Sequence, residues 1–193
     1  MRTIHIGVII LFLTSGCASH HYFLVKEGKL QGKLIVRWID YNKFIFIPDN
    51  EEPLTFIRHN KEFITPGRMY TDGGSIPKIL WAIKNYSPWG YAPAFIIHDW
   101  LFLMKHCKLP GYENYDVKKA AWIMSEIIKT LMENPEYGGK NVLVLYSMHE
   151  AVKSKIAQNL WEDGECNLPT LENLLYMEKK PLFEYVIDFK TSN

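Results

Sequence analysis

The spacing of apolar residues changes along this chain, and that change limits the fold more than any other feature. Between residues 32 and 64, β-branched and aromatic residues form short runs separated by turn residues, which predicts an antiparallel meander of three or four strands. Beyond Ser75, apolar residues recur at helical spacing. We therefore predict an α+β fold, with a small antiparallel sheet meander followed by a bundle of three to four helices.

Five short segments have the composition of strands. Leu34–Ile39 and Lys43–Ile47 flank a turn, and Leu54–Arg58 and Phe63–Ile64 follow them along the chain. The aromatic run Leu182–Phe189 is expected to form a final strand that pairs with the meander. The final strand then belongs to the same sheet as the meander.

Four segments are predicted to be helical. Over residues 75–83 a serine suited to an N-cap is followed by a proline in the first turn, which favours a helix start. Ala94–Lys105 is apolar almost all round, which is typical of a buried helix. Asp116–Met132 and Asn141–Trp161 carry apolar residues at helical spacing, so each is expected to be a helix that packs by one face.

The first sixteen residues differ in composition from the rest. Arg2 precedes the apolar run Ile4–Leu13, which is shorter than the roughly 20 residues needed to cross a bilayer and fits a signal-peptide core. The small residues Thr14-Ser15-Gly16 then precede Cys17, and this pattern resembles a bacterial lipobox. The resemblance implies that Cys17 is diacylated and becomes the mature N-terminus. A plain cleaved signal and an N-terminal core helix are the alternatives.

The predicted organisation has three parts. Residues 1–16 form a lipoprotein signal peptide, residues 17–31 a lipid-anchored linker and residues 32–193 a single α+β domain. Ala18 after the cysteine implies the outer membrane by the enterobacterial sorting rule, with the domain facing the periplasm. Since two or three acyl chains hold a protein on a bilayer almost permanently, the expected partner is a membrane of the bacterial cell envelope.

Charge and cysteine content narrow the possible partners. The net charge of +1 does not indicate the basic surface that nucleic-acid binding requires, so a nucleic acid is not an expected partner. Without Arg2 the 22 basic residues fall to 21 and equal the 21 acidic ones, so no polybasic supplement to membrane binding is expected. Cys107 and Cys166 can pair in an oxidising periplasm, but one such pair is not a disulfide framework.

Two adjacent ionisable residues, His98 and Asp99, interrupt the apolar helix predicted at Ala94–Lys105. Burying such a pair costs several kcal/mol unless each group finds a partner or a metal. The pair is therefore a candidate catalytic or binding site. The alternative is a satisfied structural network in the core.

A loop and one further acidic residue complete the set of candidates. Thr71–Ser75 contains two glycines and leads into a predicted helix N-terminus, where free N–H groups can bind an anion. A tight Asp-Gly turn capped by Ser75 is the alternative there. Asp116 opens the next predicted helix, where an N-cap role is the alternative to a chemical one.

These segments together resemble an uncharacterised bacterial and phage family, a domain of unknown function. The resemblance is carried by Thr71–Pro77 (TDGGSIP) with Trp81, by His98–Phe102 (HDWLF) and by Asp116, and it covers about residues 70–155. It implies a bacterial or prophage-encoded protein but brings no established activity. The last residue of the second motif is a phenylalanine where the family more usually has tyrosine.

More distantly, the same segments resemble secreted phospholipase A2, in which a glycine-rich calcium loop precedes a helix bearing a His-Asp pair. This resemblance implies that His98 is the general base that activates water and that Asp116 fixes its orientation. It also implies a calcium ion, bound by Asp99, that polarises the ester carbonyl. By this resemblance, backbone carbonyls near Gly73 and Gly74 also bind the metal. Asp72 and Ser75 are candidate binding residues for a separate reason, because their loop is expected at the mouth of the site.

The sequence thus predicts an envelope lipoprotein that performs metal-assisted hydrolysis of an ester, with a phospholipid as the candidate substrate. The alternative is a non-catalytic envelope lipoprotein, such as a phage exclusion or surface-binding factor that binds another envelope protein. In that alternative the same His and Asp residues form a buried structural network.

Overall fold

A computed structural model of the chain describes residues 16–40, 43–71, 88–137, 139–169 and 183–189. Most of the predicted signal peptide lies outside the described residues. So do the loop residues 72–75 and the helix predicted over residues 75–83.

The described strands form one antiparallel sheet in the order β4-β3-β1-β2-β5, with β6 also paired to β1. The central strand β1 pairs with β2 along one side and with β3 and then β6 along the other. The sheet is built from β1 (Lys29–Asp40), β2 (Lys43–Pro48), β3 (Thr55–Ile57), β4 (Phe63–Ile64), β5 (Met69–Thr71) and β6 (Phe183–Phe189).

Gly32 marks the point where β1 changes partner. Residues 29–31 pair with β3, and residues 32–38 pair with β6. Gly32 has a φ of +87°, and a Cβ built there would lie 2.2 Å from the carbonyl oxygen of Pro53. Both the left-handed backbone and the close approach require glycine at this bend.

The predicted antiparallel sheet is confirmed, and so is the predicted final strand. The order is not that of a simple meander, because β3 pairs with β1 and not with β2. Alternation along β1 buries Leu34 and Val36. The aromatic segment near the C-terminus forms β6 and pairs with β1 from Gly32 opposite Phe189 to Trp38 opposite Phe183. Strand β5 was not predicted, because a segment of three residues carries too little of a period to be recognised.

Five α-helices accompany the sheet within the described part of the chain. Helix α1 covers residues 16–24 and precedes the sheet. The predicted helices at residues 94–105 and 116–132 are confirmed as α2 and α3. The remaining helices are α2 (Ala92–Cys107), α3 (Val117–Glu133), α4 (Val142–Val152) and α5 (Lys155–Asp163), with short 3-10 helices at Pro88–Tyr91, Tyr112–Asn114 and Pro135–Tyr137.

The prediction of one helix over Asn141–Trp161 was wrong, since the structure divides this stretch into α4 and α5. Helix α4 ends at Val152, and the Ser154 side chain accepts a hydrogen bond from the Ala157 backbone N–H. A serine N-cap satisfies a backbone donor that would otherwise be left free, so it favours a new helix start here.

The stretch predicted as a linker has regular structure. Residues 16–24 are helical, and Ala18, Tyr22 and Val25 are buried. The Tyr22 hydroxyl donates to Glu133 Oε1 at 2.7 Å, and Lys129 Nζ donates to the carbonyl oxygens of Tyr22 and Val25. Helix α1 is therefore packed against α3.

The core lies between the inner face of the sheet and helices α2 and α3. Its largest fully buried side chains come from both layers, among them Phe46, Phe56, Leu34, Ile97, Leu101, Ile123 and Ile127. A disulfide joins Cys107 at the end of α2 to Cys166 after α5, which settles the pairing that the sequence left open. None of the described helices is long and apolar enough to cross a membrane. The whole is an α+β fold, as predicted.

Candidate functional site

The predicted His-Asp pair lies near the middle of α2. Pro93 in the first turn removes a backbone donor that would lack a partner there, and every residue from Ala92 to His98 is buried. Because this first half of the helix packs into the core, it holds His98 at 8% exposure. Asp99, the next residue, faces the boundary of the core, with 23% of its side chain exposed.

His98 has an unsatisfied nitrogen. No hydrogen-bond partner for its buried Nε2 is present among the residues that the structure describes. Its Nδ1 lies 3.9 Å from Asp99 Oδ1, which is an electrostatic contact rather than a hydrogen bond. The ring packs on Phe102, one turn further along α2, with centroids 4.8 Å apart. A buried polar atom without a partner costs about 1–3 kcal/mol, so this nitrogen is a candidate for binding a ligand or transferring a proton.

Asp99 is held by a residue from the sheet. Its Oδ2 accepts a hydrogen bond from the Thr71 hydroxyl at 3.0 Å. Thr71 is the last residue of β5 and the first residue of the TDGGSIP motif. The fold therefore brings the two sequence motifs together at one point. No separate role was predicted for Thr71, although its place at the start of the motif was a signal for one.

Asp116 serves as the N-cap of α3. Its exposed carboxylate accepts a hydrogen bond from the Lys119 backbone N–H at 2.6 Å. The described side-chain contact of Asp116 is thus with its own helix and not with His98. This is the capping alternative that the sequence left open.

The described residues do not by themselves form a calcium site. Calcium takes about 6–8 oxygen ligands, and Asp99 supplies one carboxylate that already accepts a hydrogen bond from Thr71. Within the described ranges no group of three or more His, Cys, Asp or Glu residues could hold a metal ion. The other predicted ligands and binding residues, Asp72, Gly73, Gly74 and Ser75, lie outside the described residues.

A buried ion pair joins Arg58, which directly follows β3, to Glu126 of α3. Glu126 of α3 is fully buried, and both of its carboxylate oxygens accept hydrogen bonds from Arg58, at 2.6 and 2.8 Å. The third guanidinium nitrogen of Arg58 donates to Glu62 at 2.6 Å. The bond to Glu126 raises the pKa of Arg58, so the guanidinium stays charged. Every charge here has a partner, as a structural pair requires.

The same network extends to the surface through Glu62. Lys119 Nζ lies 3.1 Å from Glu62 Oε1. Burial alone would raise the pKa of Glu62, but hydrogen bonds from Lys119 and Arg58 lower it below its ordinary value. Burial and the neighbouring Glu62 carboxylate raise the pKa of Tyr115 to about 12. The shifts of the Arg58, Glu62 and Tyr115 pKa values all move these three groups further from titration near neutral pH.

Two histidines that the sequence analysis did not single out form a second buried cluster. His21 of α1 and His149 of α4 have ring centroids 4.3 Å apart, and Trp122 packs edge-on against both rings. His149 Nδ1 lies 3.0 Å from the Ser125 hydroxyl, whereas His21 Nε2 has no partner within the described residues. Burial, together with His149, lowers the pKa of His21 to about 4, and burial also lowers that of His149.

The family comparison covers the part of the chain that contains the His-Asp pair. Residues 50–136 match the model of DUF1353, a family of proteins of unknown function. The matched segment runs from just before β3 to the 3-10 helix after α3, so it includes Thr71, His98 and Asp99. No curated protein and no solved structure matches this chain. The function must therefore be argued from the site.

Proposed function

We propose that this protein is a bacterial or prophage-encoded envelope lipoprotein that hydrolyses an ester, with His98 as the general base. The observation that carries the proposal is the buried His98 Nε2, which has no hydrogen-bond partner among the described residues. Histidine is the side chain most suited to proton transfer near neutral pH. A satisfied structural histidine would have both nitrogens bonded.

In the proposed mechanism His98 Nε2 removes a proton from water as the water oxygen attacks the ester carbonyl carbon. The proton then passes to the leaving alkoxide, so the imidazole ends neutral. During the step the ring is positive, and Asp99 Oδ1 at 3.9 Å from Nδ1 stabilises that charge. Thr71 keeps Asp99 in place through its hydroxyl. We assign the supporting role to Asp99 because Asp116 caps α3.

The residues after Thr71 are proposed to form the mouth of the site. The chain continues directly from Thr71 into Asp72, Gly73, Gly74 and Ser75, one residue from the hydroxyl that binds Asp99. We propose Asp72 and Ser75 as substrate-binding residues on this basis. Since the described residues supply a single carboxylate for a metal, the mechanism contains no metal step.

The envelope location rests on the exposed thiol of Cys17, which is accessible for acylation. Ala18 at the next position supports the outer membrane, with the domain facing the periplasm. A phospholipid ester is the proposed substrate, because acyl chains on Cys17 would hold the domain beside phospholipid. Labelling with a fatty-acid analogue tests the anchor, and Cys17→Ser is the matched control that should carry no label.

The hydrolase proposal is tested by fatty-acid release from phospholipid vesicles. His98→Gln should lower the rate by roughly 100-fold or more, the usual contribution of a general base, while the melting curve shows a folded protein. His106→Gln is the matched control, because His106 lies on the same helix and its Nε2 is already 3.0 Å from the Leu160 carbonyl oxygen. Equal rates for wild type and His98→Gln would refute the role of His98.

A non-catalytic envelope protein is the second candidate, and the Arg58–Glu126 pair favours it. That pair shows that this fold uses buried charges to fix the position of α3. If His98 also has a purely structural role, His98→Ala lowers stability by a few kcal/mol and the wild-type protein releases no fatty acid. A folded, inactive His98→Ala variant of an active enzyme excludes this candidate.

A further inference from the structure

One face of α1 buries its residues and the opposite face exposes two large apolar side chains. Ala18, His21, Tyr22 and Val25 are buried and follow helical spacing, so they form one stripe. Phe23 is 74% exposed and Leu24 46% exposed. Both lie off that stripe, because successive residues are turned by about 100° around a helix. The packing of α1 on the core therefore leaves these two residues facing outward.

Positive charge accompanies this apolar face. Lys26 Nζ lies 5.7 Å from the centre of the Phe23 ring on this face. Lys140 Nζ lies 4.5 Å from the centre of the ring of Tyr22, the buried residue that directly precedes Phe23. Both lysines are exposed, and neither forms an ion pair with any described residue.

The nearby carboxylates are already engaged. Glu27 lies 3.7 Å from Lys129 Nζ, and Glu133 accepts the hydrogen bond of the Tyr22 hydroxyl. The neutral Tyr22 hydroxyl does not cancel the charge of Glu133, so three lysines (Lys26, Lys129 and Lys140) stand against two carboxylates around α1, and the local net charge is positive. Exposed apolar side chains bordered by unpaired lysines are typical of a surface that lies on anionic lipid.

We propose that the exposed face of α1, formed by Phe23 and Leu24 and bordered by Lys26 and Lys140, docks on an anionic lipid bilayer. The two apolar side chains enter the headgroup region, and the two lysines contact lipid phosphates. The proposal rests in part on the proposed anchor: Cys17 lies on the same helix, six residues before Phe23. At about 1.5 Å per residue, Phe23 then lies on the order of 9 Å from the acylated residue along the helix axis.

An environment-sensitive dye on an introduced cysteine tests this surface. Phe23→Cys is compared with Ile156→Cys, a matched control because Ile156 is also 74% exposed but lies on α5. In the acylated full chain Cys17 is blocked and Cys107 is bonded to Cys166, so the new cysteine is the only one available to an NBD maleimide. Each labelled protein is bound to vesicles of phosphatidylcholine, with or without phosphatidylglycerol.

The dye at position 23 should shift its emission to the blue and gain severalfold in intensity, with protection from iodide quenching, and more so with phosphatidylglycerol. The dye at position 156 should remain water-like. Adding Lys26→Glu and Lys140→Glu should remove the effect of phosphatidylglycerol. Water-like emission at both positions, or equal shifts at both, would overturn the docking proposal.

Fatty-acid labelling of the same preparation separates this inference from the proposed anchor. If Cys17 is acylated and the dye at position 23 stays water-like, the anchor stands and the docking surface fails. If Cys17 carries no lipid, the anchor fails, and the two dye positions are compared again in Cys17→Ser protein mixed with the same vesicles. A blue shift confined to position 23 then supports the surface, and its absence overturns it.

Discussion

Two buried polar pairs in neighbouring helices differ in how completely they are satisfied. In α3, Glu126 is fully buried and receives two hydrogen bonds from Arg58. In α2, His98 is nearly as buried, but its Nε2 has no partner in the described part of the chain. A satisfied pair adds to the stability of a fold, whereas an unsatisfied group costs stability. This difference supports a structural role for the first pair and the proposed chemical role of His98 in the second.

The largest predicted effect is the loss of the satisfied pair. Glu126→Ala leaves the Arg58 guanidinium buried with Glu62 as its remaining carboxylate, and should lower the free energy of unfolding by about 3–5 kcal/mol. Urea denaturation measures the change. The double variant Arg58→Met with Glu126→Leu should recover most of the loss, because no uncompensated charge remains. A loss below about 1 kcal/mol for Glu126→Ala would contradict a structural role.

The second-largest predicted effect is the loss of the disulfide at the C-terminal end of α2. Removing the Cys107–Cys166 bond by Cys166→Ser should lower stability by about 2–4 kcal/mol, since the bond closes a long loop in the unfolded chain. The bond also ties down α5, whose Trp161 packs edge-on against Phe102 with ring centroids 4.8 Å apart. Phe102 in turn contacts His98. The hydrolysis rate should therefore fall with stability, and an unchanged rate would show that α5 does not support His98.

The third predicted effect is a pH dependence of stability that arises from the His21–His149 cluster. Burial lowers the pKa of His21 from 6.5 to about 4. The folded form therefore binds fewer protons than the unfolded form between these values, and its stability falls as the pH drops from about 6.5 towards 4. At 1.36 kcal/mol per pKa unit we expect a loss of up to about 3 kcal/mol from this residue, measured by urea denaturation at a series of pH values.

His21→Phe should flatten that pH dependence, because an apolar ring of similar shape replaces the titrating one. The matched control is His106→Gln, which changes a histidine bonded to Leu160 on the rim of the core and should leave the slope unchanged. If His21→Phe retains the full slope between pH 4 and 6.5, another group accounts for it.

The fold was largely predictable because its main elements have local signatures. The β1–β2 pair and β6 have β-branched and aromatic composition, α2 is apolar almost all round, and α3 has apolar residues at helical spacing. The break between α4 and α5 was missed because Ser154 caps a helix inside a continuous apolar pattern. Helix α1 was missed because residues 17–31 were assigned to a linker, although the stripe from Ala18 to Val25 has helical spacing.

The candidate site was predictable only in part. The helix that places His98 and Asp99 follows from its own composition. The contact between Thr71 and Asp99 spans 28 residues of sequence, and that between Arg58 and Glu126 spans 68. Both depend on how strands pack against helices, which no local pattern specifies. The capping role of Asp116 was visible as an alternative, because N-cap geometry is local.

The smallest predicted change in stability is that of His98→Phe, and this variant best distinguishes the two buried pairs. His98→Phe replaces an imidazole that has an unpartnered nitrogen by an apolar ring of similar shape. Stability should change by less than about 1 kcal/mol or increase, because an unsatisfied polar atom is removed from the core. The same variant should lose hydrolysis, since phenylalanine cannot accept a proton. If His98→Phe instead costs as much as Glu126→Ala in urea denaturation, Nε2 has a structural partner outside the described residues. The two pairs would then be alike, and the case for His98 as a general base would fail.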